Sequence, residues 1–93
     1  FAVPVEILSI KEVTRRLASY LQLLADEQEE PEGAVLPISK GQLASLLGTI
    51  PETLSRIFAK MAGQGLIEVS GRNIRILNRA GLEDISIQGK VPE

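Results

Sequence analysis

The chain has 93 residues, of which 44% are hydrophobic and 24% charged, enough for one domain with a modest core and too apolar for a disordered segment. It contains no Cys and no His, so thiol catalysis, structural zinc, iron–sulfur ligation and imidazole acid–base chemistry all lack their groups. The formal net charge of −2 argues on average against a phosphate-rich partner, yet residues 40–79 set six cations (Lys40, Arg56, Lys60, Arg72, Arg75, Arg79) against Glu52 and Glu68, a balance of +4, and leave the remainder at −6.

The chain opens on Phe1 rather than Met, as expected of a piece of a longer polypeptide. No apolar run approaches the ~18 residues of a membrane span, and no basic region precedes a hydrophobic one at the N-terminus. The expected location is the cytoplasm, with no membrane partner.

Pro4 suits the first turn of a helix, and Ile10, Val13, Leu17, Leu21 and Leu24 recur at spacings of three and four, with Tyr20 beside them. This predicts an amphipathic helix over roughly 5–28 whose polar side carries Lys11, Glu12, Arg15 and Arg16. From Asp26 to Gly33 the acidic residues and Pro31 read as a solvated connector. Ala34 to Ile38 is apolar but holds Pro37, so a strand there is brief and at an edge.

Ser39-Lys-Gly-Gln42 matches the capping box, in which the serine hydroxyl accepts from the third amide of the helix and the glutamine reaches back. The helix it opens has Leu43, Leu46 and Leu47 on one face and stops at Gly48, where a left-handed residue is expected. Thr49-Ile-Pro-Glu52 repeats the capping pattern, with Pro51 in the first turn, and predicts a second helix to about Ala62, closed by Gly63 and Gly65. Leu66 to Val69 and Ile74 to Leu77 alternate like strands around Ser70-Gly-Arg-Asn73, a two-stranded hairpin. Asn78 to Ser86 fits a last short helix with Leu82 and Ile85 inward, and residues 87–93 read as a frayed tail. Residues 1–33 thus form an N-terminal helix and acidic loop, and 34–86 a mainly α unit with a small β wing, within one domain. The order is that of a winged helix-turn-helix: a three-helix bundle plus a hairpin.

At about 100° per residue, Ile57, Phe58 and Met61 fall within about 60° of Leu54 and form a buried stripe. On the same wheel Glu52 and Arg56 lie about 160° and 200° away, with Ser55 at the rim near 100°. A recognition helix must present just such side chains to base edges: a guanidinium donates two parallel bonds to guanine O6 and N7, and a carboxylate accepts from cytosine N4. Ordinary structural roles suit these residues as well. Glu52 suits a capping box with Thr49, Glu52 and Arg56 suit a surface ion pair, Ser55 suits a neutral surface position, and Arg72, Asn73 and Arg75 suit any exposed hairpin.

The run ISKGQLASLLGTIPETLSRIFAKMAGQGLIEVSGRNIRIL, residues 38–77, resembles the winged helix-turn-helix of the bacterial CRP/FNR transcription regulators nearly end to end. The resemblance extends back through VTRRLASYLQLLA and forward into NRAGLEDIS. In that family the pattern E-x-x-S-R on the recognition helix marks the FNR-like branch, and Glu52, Ser55 and Arg56 occupy it here. The resemblance implies a half-site with a TGA core of the TTGA type; the cyclic-AMP branch, which reads TGTGA, usually carries a basic residue where Pro51 stands and a glycine where Ser55 stands. Base contacts then fall to Glu52, Ser55 and Arg56, and phosphate or register contacts to Ser39, Gln42, Thr49, Thr53, Lys60, Arg72 and Asn73.

The family also implies an N-terminal effector domain and a dimerisation helix, of which Phe1 to Ser9 would be the tail. No cofactor is expected within this chain, since an effector would bind the N-terminal domain. The implied partners are double-stranded DNA, RNA polymerase and a second copy of the full-length protein, this piece alone being monomeric. The acidic residues 1–32 are expected to face away from DNA. The rival readings are a winged helix used only as a protein-interaction module and an enzyme fragment with Glu52 or Asp84 as acid or base. The second lacks a partner group at a workable spacing and a glycine-rich phosphate loop.

Overall fold

The computed structural model describes residues 9–29 and 33–89. Four helices and three strands follow in the order α1 (Ile10–Glu27), β1 (Gly33–Val35), α2 (Lys40–Leu47), α3 (Pro51–Gly63), β2 (Ile67–Ser70), β3 (Asn73–Ile76) and α4 (Arg79–Gln88). The strands form one antiparallel sheet with β3 in the centre, β1 on one side and β2 on the other. The architecture is a winged helix.

Helix α1 begins at Ile10, five residues later than the periodicity suggests. Ser9 is extended and its hydroxyl accepts from the Glu12 amide, so it caps the helix from outside. Pro4 and the rest of the expected first turn lie outside the described residues. Val13, Leu17, Ala18, Leu21, Leu24 and Ala25 are buried, whereas Ile10, expected in the stripe, is 66% exposed at the first turn. In α2 the serine cap and the reciprocal glutamine bond are both present, but Leu46 points outward at 59% exposure and Ala44 takes the inward position beside Leu43 and Leu47.

The turn between α2 and α3 corrects one expectation. Thr49 does not cap α3; Ile50 does, with no side-chain bond, and Pro51 is the first helical residue. The cause is steric. A residue before proline is pushed out of the helical region, so Ile50 cannot be the first helical position that a Thr49 cap demands, and it sits at φ −110°, ψ 157°. Gly48 turns the chain at φ 83°, with its N–H on the Ser45 carbonyl and that of Thr49 on the Ala44 carbonyl. At the other end of α3, Gly65 at φ 72° makes the same reversal, with its N–H on Ala62 and that of Leu66 on Met61.

The expected two-stranded hairpin is the larger part of a three-stranded sheet. Ser70 pairs with Asn73 across a two-residue turn in which Gly71 has φ 60°, and β1 adds to the far side of β3 with Ala34 opposite Ile74. The outer edge of β1 is closed by a side chain. Gln28 donates to the Val35 carbonyl at 2.8 Å and accepts from the Val35 amide at 2.9 Å, taking the place of a further strand.

Helix α4 is capped by Asn78 and runs past Ser86 to Gln88, so Ile87 and Gln88 are helical rather than part of a tail; Lys90 to Glu93 lie outside the described residues. Its C-terminal end lies against the first turn of α1. Gly89 is left-handed at φ 71°, and a Cβ there would meet the Lys11 carbonyl oxygen at 2.6 Å. Arg15 Nε donates to the Ser86 carbonyl at 3.4 Å, and at the opposite end Arg79 pairs with Asp26 at 2.8 Å. The core runs unbroken from α1 through the sheet to α3 and α4, joining Leu17, Leu21, Leu54, Met61, Ile74 and Leu82. Residues 9–29 thus belong to the same core as the helix-turn-helix.

Gly89→Ala combines an unfavourable backbone conformation with a backbone clash, and each such strained feature costs of order 1–3 kcal/mol. The expected outcome is a melting temperature lowered by roughly 4–8 °C per kcal/mol lost, measured by thermal denaturation followed by circular dichroism. An unchanged melting temperature would show that α4 does not bear on the first turn of α1.

Candidate nucleic-acid interface

Leu54, Ile57, Phe58 and Met61 are all buried, which fixes the rotation of α3 about its axis. Glu52, Ser55, Arg56, Ala59 and Lys60 are consequently exposed along the opposite side, and Thr53 is half-buried at the margin. Among the described residues no ion pair joins Glu52 to Arg56, so the surface pair compatible with their spacing does not form. With Thr49 excluded as a cap, the capping-box role of Glu52 is also absent. A carboxylate and a guanidinium stand one helical turn, ~6 Å, apart along the axis, with no hydrogen bond or ion pair from either to another described residue.

Lys40 opens α2 and places its ammonium 5.7 Å from the centroid of the Phe58 ring, which ties the start of α2 to the buried side of α3. Its charge therefore stands at the junction of the two helices. In the sequence Lys40 is one cation of the basic segment, with no position of its own.

The other expected contact residues divide by what they already do. Ser39 Oγ accepts from the Gln42 amide at 3.1 Å, and Gln42 Oε1 accepts from the Ser39 amide at 3.1 Å, so both side chains hold the start of α2. Thr49 Oγ1 is enclosed and has no partner among the described residues. Arg72 and Asn73 are exposed at the tip of the sheet, where the Arg72 carbonyl accepts from Leu36 at 2.8 Å and ties the tip to β1. Arg75, one strand position on, lies 3.9 Å from Glu68 on an exposed face, a pair worth about 0–1 kcal/mol.

One grouping escaped the sequence. Lys11 and Thr14 of α1 line a groove together with Thr53, Arg56 and Lys60 of α3. The first turn of α1, expected to face away with the acidic segment, lies beside the basic face instead. The acidic character of α1 is confined elsewhere: Glu12 is held by Arg15 at 2.7 Å and Arg16 at 3.5 Å, and Asp26 by Arg79. Separations of 39 to 49 residues carry no local signal, so only the packing of α1 could disclose the grouping.

No described helix is long and apolar enough to cross a membrane, and the described residues hold no group of three or more side chains suited to a metal ion. Tyr20 has its phenol pKa raised, by burial first and by the Glu27 charge second, on the separate α1–α2 surface.

Residues 15–85 match the family model of the Crp-like helix-turn-helix domain. The chain belongs to the CRP/FNR family. This CRP/FNR domain is 41% identical over 71 residues to a probable transcriptional regulator, flp, of Lacticaseibacillus casei, covering 76% of the chain and 32% of that protein. Among solved structures it resembles DNR from Pseudomonas aeruginosa with a TM-score of 0.73 and 36% identity, over 82% of the chain and 34% of that one. FixK2 from Bradyrhizobium japonicum follows with a TM-score of 0.71 and 28% identity, over 78% and 37%. The chain therefore spans about a third of the length of these relatives. Its relatives are transcription regulators, and its fold is the DNA-binding type of that family.

If Ser39 serves chiefly as a cap, Ser39→Ala lowers stability by about 0.5–2 kcal/mol in urea denaturation and leaves the salt dependence of duplex binding unchanged. A shallower salt slope with unaltered stability would assign its hydroxyl to phosphate instead.

Proposed function

We propose that this chain is the DNA-reading part of a dimeric, cytoplasmic bacterial regulator of the FNR-like branch, with α3 in the major groove of TTGA-type half-sites. The observation that carries the proposal is the outer face of α3, where Glu52 and Arg56 are exposed, unpaired with each other and one turn apart. Arg56 donates its two parallel bonds to guanine, Glu52 accepts from cytosine N4 on an adjacent pair, and Ser55 contacts a base or its methyl group. The short turn and Pro51 leave the first amides of α3 directed along the helix axis, toward the end that enters the groove.

Lys60, Thr53 and the wing residues Arg72 and Asn73 then hold phosphates on either side, and Lys11 joins them from α1. Ser39 and Gln42 act on register chiefly by fixing where α2 begins. A full-length dimer reads a palindrome through two grooves about one helical turn apart, while this chain alone is monomeric and binds a half-site weakly. RNA polymerase is the partner for surfaces of the domain away from α3. No reaction is assigned to the chain.

Fluorescence anisotropy with a TTGA palindrome and a scrambled duplex of equal composition tests the proposal. Arg56→Ala should lose about 1–3 kcal/mol of discrimination at the guanine, whereas Lys60→Ala and Lys11→Ala should weaken both duplexes alike and lower the salt slope by about 1 each. Equal loss on both duplexes for Arg56→Ala, or no preference in the unaltered chain, would leave a winged helix that docks protein and reads no sequence.

A further inference from the structure

The groove between the first turn of α1 and the outer side of α3 has a volume of about 340 Å³, within the range of small-molecule sites. Its lining combines two features that DNA binding alone does not require together. Lys11 and Arg56 contribute positive charge, and the described lining contains no carboxylate. Ile10 and Ile57 supply an apolar floor, and Ile10 leaves 66% of its surface in the open. A duplex backbone satisfies the cations but offers isoleucine only the small C–H surface of its sugars, so most of the apolar part is left over.

We infer that this groove binds a small anionic amphiphile, a carboxylate or sulfonate on a compact hydrocarbon or aromatic body, in competition with DNA. The anionic group pairs with Lys11 and Arg56 and the body covers Ile10, above the buried Ile57. Charge complementarity sets the sign of the occupant, and the volume limits its size. Because Arg56 is shared, ligand and half-site exclude each other, which makes the groove a direct control on the DNA-reading face. The competitive element rests on the proposed function; the binding element does not.

The test uses the full 93-residue chain, ¹⁵N-labelled, titrated with naphthalene-1-sulfonate and separately with the uncharged 1-naphthalenemethanol. Saturable amide shifts should cluster at Lys11, Thr53, Ile57 and Gly89, with the neutral analogue and Lys11→Glu each binding about tenfold more weakly, the factor expected of one charge-assisted contact. Ile10→Gln provides a second variant that weakens the probe without changing charge. At sulfonate tenfold above its Kd, the apparent Kd for the TTGA duplex should rise about 11-fold. Absence of saturable shifts, shifts centred on Leu23 and Leu46, or equal binding of the neutral analogue overturns the site. Simultaneous binding of sulfonate and duplex overturns the competition. A chain that takes the sulfonate but no duplex refutes the proposed function and leaves the groove standing.

Discussion

Burial of Leu54, Ile57, Phe58 and Met61 is the constraint from which the basic face follows. Four large side chains on one side of a 13-residue helix lock its rotation, since turning it by one position would expose some of them and drive a charged residue inward. Truncating one, as in Phe58→Ala, costs about 3–5 kcal/mol in other cores. The exposed line of Glu52, Ser55, Arg56 and Lys60 is therefore a geometric consequence of the core rather than a separate arrangement.

The two ends of α3 are fixed with equal economy of sequence. Pro51 makes Ile50 extended and starts the helix abruptly, and Gly65 reverses the chain so that β2 can return along it. Lys40 reaches across from α2 onto Phe58, and the Ser39–Gln42 box fixes the start of α2. Behind them α1 and α4 clasp each other at both ends, through Gly89 against Lys11 and through Arg79 with Asp26. This clasp brings the first turn of α1 to the edge of the face that α3 offers.

Much of this could be read from the chain itself, because its determinants are local. The helical period of α3, the serine box of α2 and the glycine stops are written within a few residues, and each has its observed counterpart. The errors also have local causes. Thr49 matches a cap because the box pattern ignores the restriction that proline imposes on its predecessor, and Leu46 and Ile10 match a buried stripe because apolarity alone does not say which neighbours arrive. The pairing of β1 with β3 and the placing of Lys11 and Arg56 on one groove depend on packing between segments far apart in sequence, which periodicity does not encode. What the chain reads, and where each phosphate would lie, are matters of the surface, where packing imposes no pattern.

The account stands or falls on the orientation of Arg56 relative to bases. A crystal structure of the chain bound to a duplex containing a TTGA half-site tests it most directly. The account predicts α3 seated in the major groove, with both terminal nitrogens of Arg56 within hydrogen-bond distance of one guanine's O6 and N7. An Arg56 that contacts only phosphate, or a duplex seated on the α1–α2 surface instead, would contradict it.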